Sequence, residues 1–416
     1  MRLIRLCALL LVGALTASGC TGASGTTEAG GGPALKTDHG VTDSTITLGI
    51  LTDNSGPLAD LGSAVTRGQQ IWLDAVNAAG GICARQLRFE TRDSGGRSEV
   101  AETQFAEMEP NVVGLIQVLG DPVLAALYQD LIDRKVMAAS GSFSSELLRN
   151  PYLLVAGATY DLEMINGLAY LMGRGELRRA DTLGHIYLGG TYGDDGLAGS
   201  TYFAKRHGLK VKSVAVTAAD ADLTATVAGL ERAGVRAIAL TTSPIQTASV
   251  ASAVQALGLD VPLIGNSPSF TPSLMWTPAA GALAARLHVV GSTIPFSASA
   301  PKAKEIAMMY GSRYNDPPSN GVQFGFALGE IWNRILVRAC AAGDLTREGV
   351  RAAVRGNGPV TADRLVPGLD FADPQSPATR QVYVAVPDRG QLGGLRQVRP
   401  LFAAPDTKTY LTARQN

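Results

Sequence analysis

The sequence predicts an α/β fold made of two similar halves, each a parallel sheet covered by helices. Short apolar runs alternate with helical patterns across roughly 46–139, and the alternation repeats across roughly 183–290. Strands that are apolar throughout suit parallel sheets buried on both faces. The chain has 416 residues, 46% apolar and 17% charged, long enough for two ordinary domains.

In chain order, strands are expected at Ile46–Leu51, Leu87–Thr91, Val112–Val118 and Lys135–Ala139 in the first half. The second half offers Leu183–Leu188, Val211–Val216, Ala237–Leu240, Val261–Ile264 and Leu287–Val290. Leu61–Ala79 places Leu61, Ala64, Val65, Gly68, Ile71 and Trp72 on one helical face, and Gly80-Gly81 stops it. A second long helix runs over Val322–Ala342, and short strands follow at Gln381–Val386 and Val398–Phe402. Two α/β halves followed by a leftover tail call for discontinuous lobes, with the chain crossing between them near 155–160, 291–296 and 372–379.

The N-terminus reads as an export signal. Arg2 and Arg5 precede the apolar run Leu6–Ala17. At ~1.5 Å per residue this run spans ~18 Å, too short for a ~30 Å hydrocarbon core. The following "ASGC" resembles the lipobox of bacterial lipoproteins, whose cysteine is acylated, here Cys20. Ala17 stands where that pattern prefers leucine. Residues from Thr21 to Gly40 have flexible-tether composition, which would let a folded body stand away from a membrane. Two cysteines remain in the body, Cys83 and Cys340. In an oxidising compartment they pair if the fold brings them together, and otherwise stay as buried thiols.

Charge and motifs exclude several classes. The 36 basic and 36 acidic residues balance without a basic stripe, which argues against a nucleic-acid partner. The chain has no Gly-x-Ser-x-Gly elbow, His-Glu-x-x-His or P-loop. None of His39, His185, His207 and His288 has a nucleophile at a recognised spacing. No catalytic residue, metal site or cofactor is therefore expected, and an extracytoplasmic hydrolase lacks its nucleophile–base pair.

The strand ends are more informative. They run into Asn54-Ser55-Gly56-Pro57, Leu119-Gly120-Asp121-Pro122 and Ser140-Gly141-Ser142-Phe143, and later into Gly190-Thr191-Tyr192, Thr242-Ser243-Pro244 and Asn266-Ser267-Pro268. Asp121-Pro122 reads as an N-cap followed by proline. Each turn has an ordinary capping explanation. Together they describe the rim of a small-molecule cleft, because open α/β sheets bind ligands beyond the carboxyl ends of their strands.

With "ITLGILTDNSGPLADLG", "AVNAAGGICARQLRF", "VMAASGSFSSEL", "TYGDDGLAG" and "LERAGVRAIALTTSPIQTASVASAVQALGL" on the page, the chain resembles the type I periplasmic substrate-binding proteins over about 43–400. The likeness is to the leucine/isoleucine/valine-binding branch that serves ABC importers. It implies two Rossmann-like lobes joined by three crossovers. The boundaries would be 1–19 for the signal, 20–42 for the tether, 43–157 with 293–374 for lobe one, and 158–292 with 375–416 for lobe two. It also places Cys83 and Cys340 together in lobe one, which favours the disulfide over free thiols.

The resemblance implies a monomer that passes a small polar molecule (amino acid, amide or carboxylic acid) to an ABC permease. A sensor of the same fold, signalling to a membrane receptor, is the alternative. Carried over by position, ligand contacts fall at Leu119, Gly120, Gly141, Ser142 and Phe143, with Ser55, Gly56 and Leu61 on the rim. Lobe two would add Tyr192, Ser243 and Ser267. Ser267 stands where the family has an acid for the ligand's ammonium. Either Asp161, Asp194 or Asp195 replaces that acid, or the ligand is not an α-amino acid, since an unpaired buried ammonium is costly.

Overall fold

The computed structural model describes residues 35–356 and 358–412; the expected signal segment, Cys20 and most of the tether lie outside them. Lobe one opens with Lys36–Thr37 (β1), Thr45–Thr52 (β2), Ala59–Ala78 (α1), Gln86–Asp93 (β3) and Ser98–Met108 (α2). Gly114–Val118 (β4), Asp121–Ala126 (α3), Tyr128–Asp133 (α4), Ala138–Ser140 (β5) and Leu153–Leu154 (β6) follow. The parallel sheet runs in the order β3-β2-β4-β5-β6.

Lobe two comprises Tyr160–Gly173 (α5), Thr182–Leu188 (β7), Thr191–His207 (α6), Lys210–Val216 (β8) and Thr224–Arg232 (α7). Val235–Thr241 (β9), Pro244–Ala256 (α8), Leu263–Asn266 (β10), Ala280–Arg286 (α9) and Leu287–Gly291 (β11) continue it. The chain then returns to lobe one as Pro301–Gly311 (α10), Asn320–Ala341 (α11), Asp344–Leu345 (β12) and Arg347–Val354 (α12). It ends in lobe two with Val382–Pro387 (β13) and Leu395–Phe402 (β14). Both pair antiparallel, completing a seven-stranded sheet in the order β14-β13-β11-β10-β9-β7-β8.

Packing explains why α1 and α11 lie side by side. Their apolar faces meet where the buried Trp72 of α1 packs over Gly329 of α11, and the equally buried Trp332 turns from α11 onto Gly114 of β4. A side chain at Gly68 would strike the Val322 carbonyl oxygen, and one at Gly325 would strike that of Val65. The disulfide Cys83–Cys340, with Cα atoms 6.1 Å apart, joins the segment after α1 to the end of α11.

The tether ends earlier than composition implied. Lys36–Thr37 pairs in parallel with Asp344–Leu345, Val41 is buried, and the Asp38 carboxylate accepts the Arg347 N–H at the start of α12. His39, read as tether, sits against the Pro110 carbonyl. This segment carries the hydrophobic and capping groups that the Gly-rich stretch before it lacks.

The crossovers are tied to one another at a single side chain. Ser292 Oγ accepts the Ala158 N–H at 2.7 Å and donates to the Gln381 carbonyl at 3.3 Å. One hydroxyl thus links the first crossover, the second and the entry to β13.

Candidate functional site

Between the carboxyl ends of the two sheets lies a cavity of about 470 Å³, within the range of small-molecule sites. Lobe one lines it with Gly56–Leu61, Val65, Gln117, Leu119, Gly141, Phe143, Ser319–Gly321 and Phe324. Tyr160, Pro244, Ser267, Phe270–Pro272, Val289, Gly291, Tyr383, Ala385 and Leu395 close it from the other side. The wall is mostly hydrocarbon. Among the described residues lining it, the one charged side chain is Asp60, which is exposed.

The turn after β2 shows how the rim is held. Asp53 is buried, and its carboxylate accepts the N–H groups of Gly56 at 2.6 Å and Leu58 at 2.9 Å. Asp93 accepts the Asn54 N–H at 2.8 Å. These bonds fix the entry to α1 and leave Leu58 and Leu61 on the cavity wall.

A bulge in lobe one positions Gln117. Pairing of β2 with β4 steps from Gly49↔Leu115 to Ile50↔Gln117, so Ile116 has no opposite residue. The step turns Gln117 onto the face shared with Thr52, whose Oγ1 accepts from Gln117 Nε2 at 2.9 Å.

Of the residues expected to contact ligand, Gly56, Leu61, Leu119, Gly141, Phe143 and Ser267 line the cavity. The structure places Ser55, Gly120, Ser142, Tyr192 and Ser243 behind or beside it. Ser142 is buried and accepts the Ser144 N–H. Tyr192 packs edge-on against Tyr160, ring centroids 4.7 Å apart, so Tyr160 presents the aromatic surface and Tyr192 supports it. Ser243 is the N-cap of α8 in a reciprocal capping box with Gln246. Gly120, not Asp121, is the N-cap of α3, at φ 104°. The Asp121 carboxyl instead faces Ser142 and Thr191, and burial raises its pKa.

The candidate acids also stand elsewhere. Asp194 is exposed. Asp195 accepts both the N–H (2.6 Å) and the hydroxyl (2.7 Å) of Ser145, a contact between lobes, and burial pushes its pKa up to about 7. Asp161 is buried and bonded to Thr159 and the Leu162 N–H. A further acid, Glu163, stands one side chain back from the wall and was missed by sequence reasoning. It lies behind Ser267, whose hydroxyl donates to it at 3.2 Å, and it accepts from Asn266 at 2.9 Å. Burial pushes the Glu163 pKa up to about 8, which disfavours its charged form.

Helix ends supply the remaining electrostatics. The N-termini of α8 and α11 reach the cavity through Pro244 and through Ser319–Gly321. Both have serine caps and no acidic residue in the first turn. Their partial positive charge is therefore uncompensated by a local carboxylate. The α1 terminus differs, because Asp53 and Asp60 already sit there. The arrangement can hold an apolar body and favours a negative head group near α8 or α11.

The family profile described as periplasmic binding protein matches residues 45–391. The chain belongs to the periplasmic binding protein family. Members are extracytoplasmic substrate-binding proteins of ABC transporters. This binding protein is 35% identical to a fatty acid ABC transporter substrate-binding protein from Thermomonospora curvata. That match has a TM-score of 0.86 and covers 91% of this chain and 97% of the other. A branched chain amino acid ABC transporter from Thermus thermophilus with bound valine is similar in fold at 16% identity. Its TM-score is 0.77, with 88% of this chain and 99% of the other covered. A leucine binding protein from Thermotoga maritima aligns at 16% identity and TM-score 0.73, over 87% and 99% of the two chains. No curated protein sequence matches the chain. No helix among the described residues is long and apolar enough to cross a membrane, and no group of side chains there could hold a metal ion.

Proposed function

We propose that this binding protein captures a monocarboxylic acid with an apolar tail, a fatty acid, and delivers it to an ABC import permease. In this reading acylated Cys20 anchors it to the outer face of the membrane, and it performs no chemistry on its cargo. The observation that carries the reading is the wall of the cavity: hydrocarbon over most of its surface, two helix N-termini without acids, and one charged side chain, Asp60, exposed. A tail gains about 25 cal/mol per Å² of apolar surface buried, and a carboxylate gains from the helix ends.

An α-amino acid fits this wall poorly. Its ammonium would need an ionised partner within the closed cavity, whereas Asp60 is exposed to solvent and Glu163 is covered by Ser267, with burial disfavouring its charged form. The 35%-identical relative is named for a fatty acid, which supports the same reading.

The test is to extract protein purified from its natural host with organic solvent and identify what is released. A straight-chain or branched fatty acid in near-stoichiometric amount is expected. An amino acid in that amount would contradict the assignment.

A further inference from the structure

The fatty-acid reading leaves open which group recognises the acid end, and one side chain on the cavity wall answers it. Gln117 lines the cavity yet is only 1% exposed. Its Nε2 donates to Thr52 Oγ1, and its Oε1 has no hydrogen-bond partner among the described residues. A buried amide atom left unpaired costs free energy unless something else satisfies it. Thr52 has a hydroxyl, which both donates and accepts, so it satisfies whichever end of the amide faces it. With the amide turned the other way, Thr52 donates to Oε1 and the Gln117 NH₂ becomes the unused group.

We propose that Gln117 is the specificity-determining residue for the ligand's head group, its NH₂ donating to the carboxylate while Thr52 holds its carbonyl. The inference rests on the fatty-acid reading and adds a direction to it. Val65 of α1 and Gly321 of α11 line the same lobe-one wall, and a side chain at Gly321 would touch Leu61 and Ala64 of α1. The α11 N-terminus, free of acids, lines the same lobe-one wall as Gln117. The opposite wall is Phe270, Pro272, Val289, Ala385 and Leu395, with Val289 and Ala385 directly paired across β11 and β13. The carboxylate lies in lobe one and the tail reaches into lobe two.

The test compares decanoate with decanol, which shares the tail but lacks the charge, by isothermal titration of delipidated protein. Wild type is expected to bind decanoate at least about tenfold more tightly than decanol. Gln117→Leu should lose about tenfold or more for decanoate, the loss of one hydrogen bond to a charged group, with decanol changed by less than about threefold. Gln117→Glu, nearly isosteric, should lose at least as much for decanoate and still bind decanol, which shows that the cavity is intact. Wild-type affinity for decanoate in both variants would overturn the head-group assignment and leave the fatty-acid reading standing. Equal wild-type binding of decanol and decanoate would do the same. Failure of wild type to bind either probe would overturn both.

Discussion

The Ser292 hydroxyl accepts the Ala158 N–H at 2.7 Å, and this bond joins two crossovers between the lobes. The same oxygen donates to the Gln381 carbonyl of the third. Lobe closure in such proteins turns on the strands that connect the lobes, so a side chain bonded to all three sits where the turning is resisted.

Ser292→Ala removes both bonds and leaves the buried Ala158 N–H unpaired. The expected cost is about 1–3 kcal/mol, read as a lower midpoint in urea unfolding. Ser292→Thr keeps the hydroxyl and should recover most of it. An unchanged midpoint for the alanine variant would show that the crossovers do not depend on this link.

The disulfide should matter for stability and little for binding, because Cys83 and Cys340 are absent from the cavity wall. Replacing both by serine is expected to cost about 2–4 kcal/mol, measured by denaturant unfolding with and without reductant. Reductant should lower the wild-type midpoint and leave the variant unmoved. Ligand affinity of the variant should stay close to wild type.

Stability should fall as pH rises through neutrality. Burial raises the Glu163 pKa from its ordinary 4.5 to about 8, and that of Asp195 from 3.8 to about 7. Between the ordinary and raised values the native state holds a proton that the unfolded chain has released. Unfolding free energy therefore decreases with pH across that window and levels off above it. Glu163→Gln should flatten its share of the decline, a difference on the order of a few kcal/mol between about pH 5 and pH 9. An equally steep decline in the variant would remove Glu163 from the account.

Filling the lobe-two end should shorten the acceptable tail. Ala385 faces the cavity beside Val289, and Ala385→Leu places extra methyl groups there at a cost of about 1–3 kcal/mol to any ligand that reaches them. Long-chain acids should lose about tenfold or more in affinity while short-chain acids change little. Equal losses for all chain lengths would mean that the tail does not extend that way.

Much of this architecture was legible because strand and helix periodicities are local. The turns after β2, β4, β5 and β10 bring Gly56, Leu119, Gly141, Phe143 and Ser267 to the cavity wall, since strand ends share one side of a parallel sheet. The rest depended on packing that periodicity does not record. Tyr192 has the right composition and place in the chain, but Tyr160, first residue of α5, lies in front of it. Gln117 reaches the wall through a one-residue bulge at Ile116, invisible in an apolar run. Val289 and Ala385 fall within expected strands and line the cavity, and hydrocarbon facing ligand looks the same in sequence as hydrocarbon facing hydrocarbon. The Ser319-Asn320-Gly321 start of α11 did carry a signal, an N-cap ahead of a long helix.

The most direct test of the central claim is isothermal titration of delipidated protein with decanoate and, separately, with leucine. Saturable one-to-one binding of decanoate, with a negative heat-capacity change from apolar burial and no detectable binding of leucine, is the predicted result. Tight binding of leucine with none of decanoate would contradict it, and would place an ionised acid within reach of the ligand's ammonium.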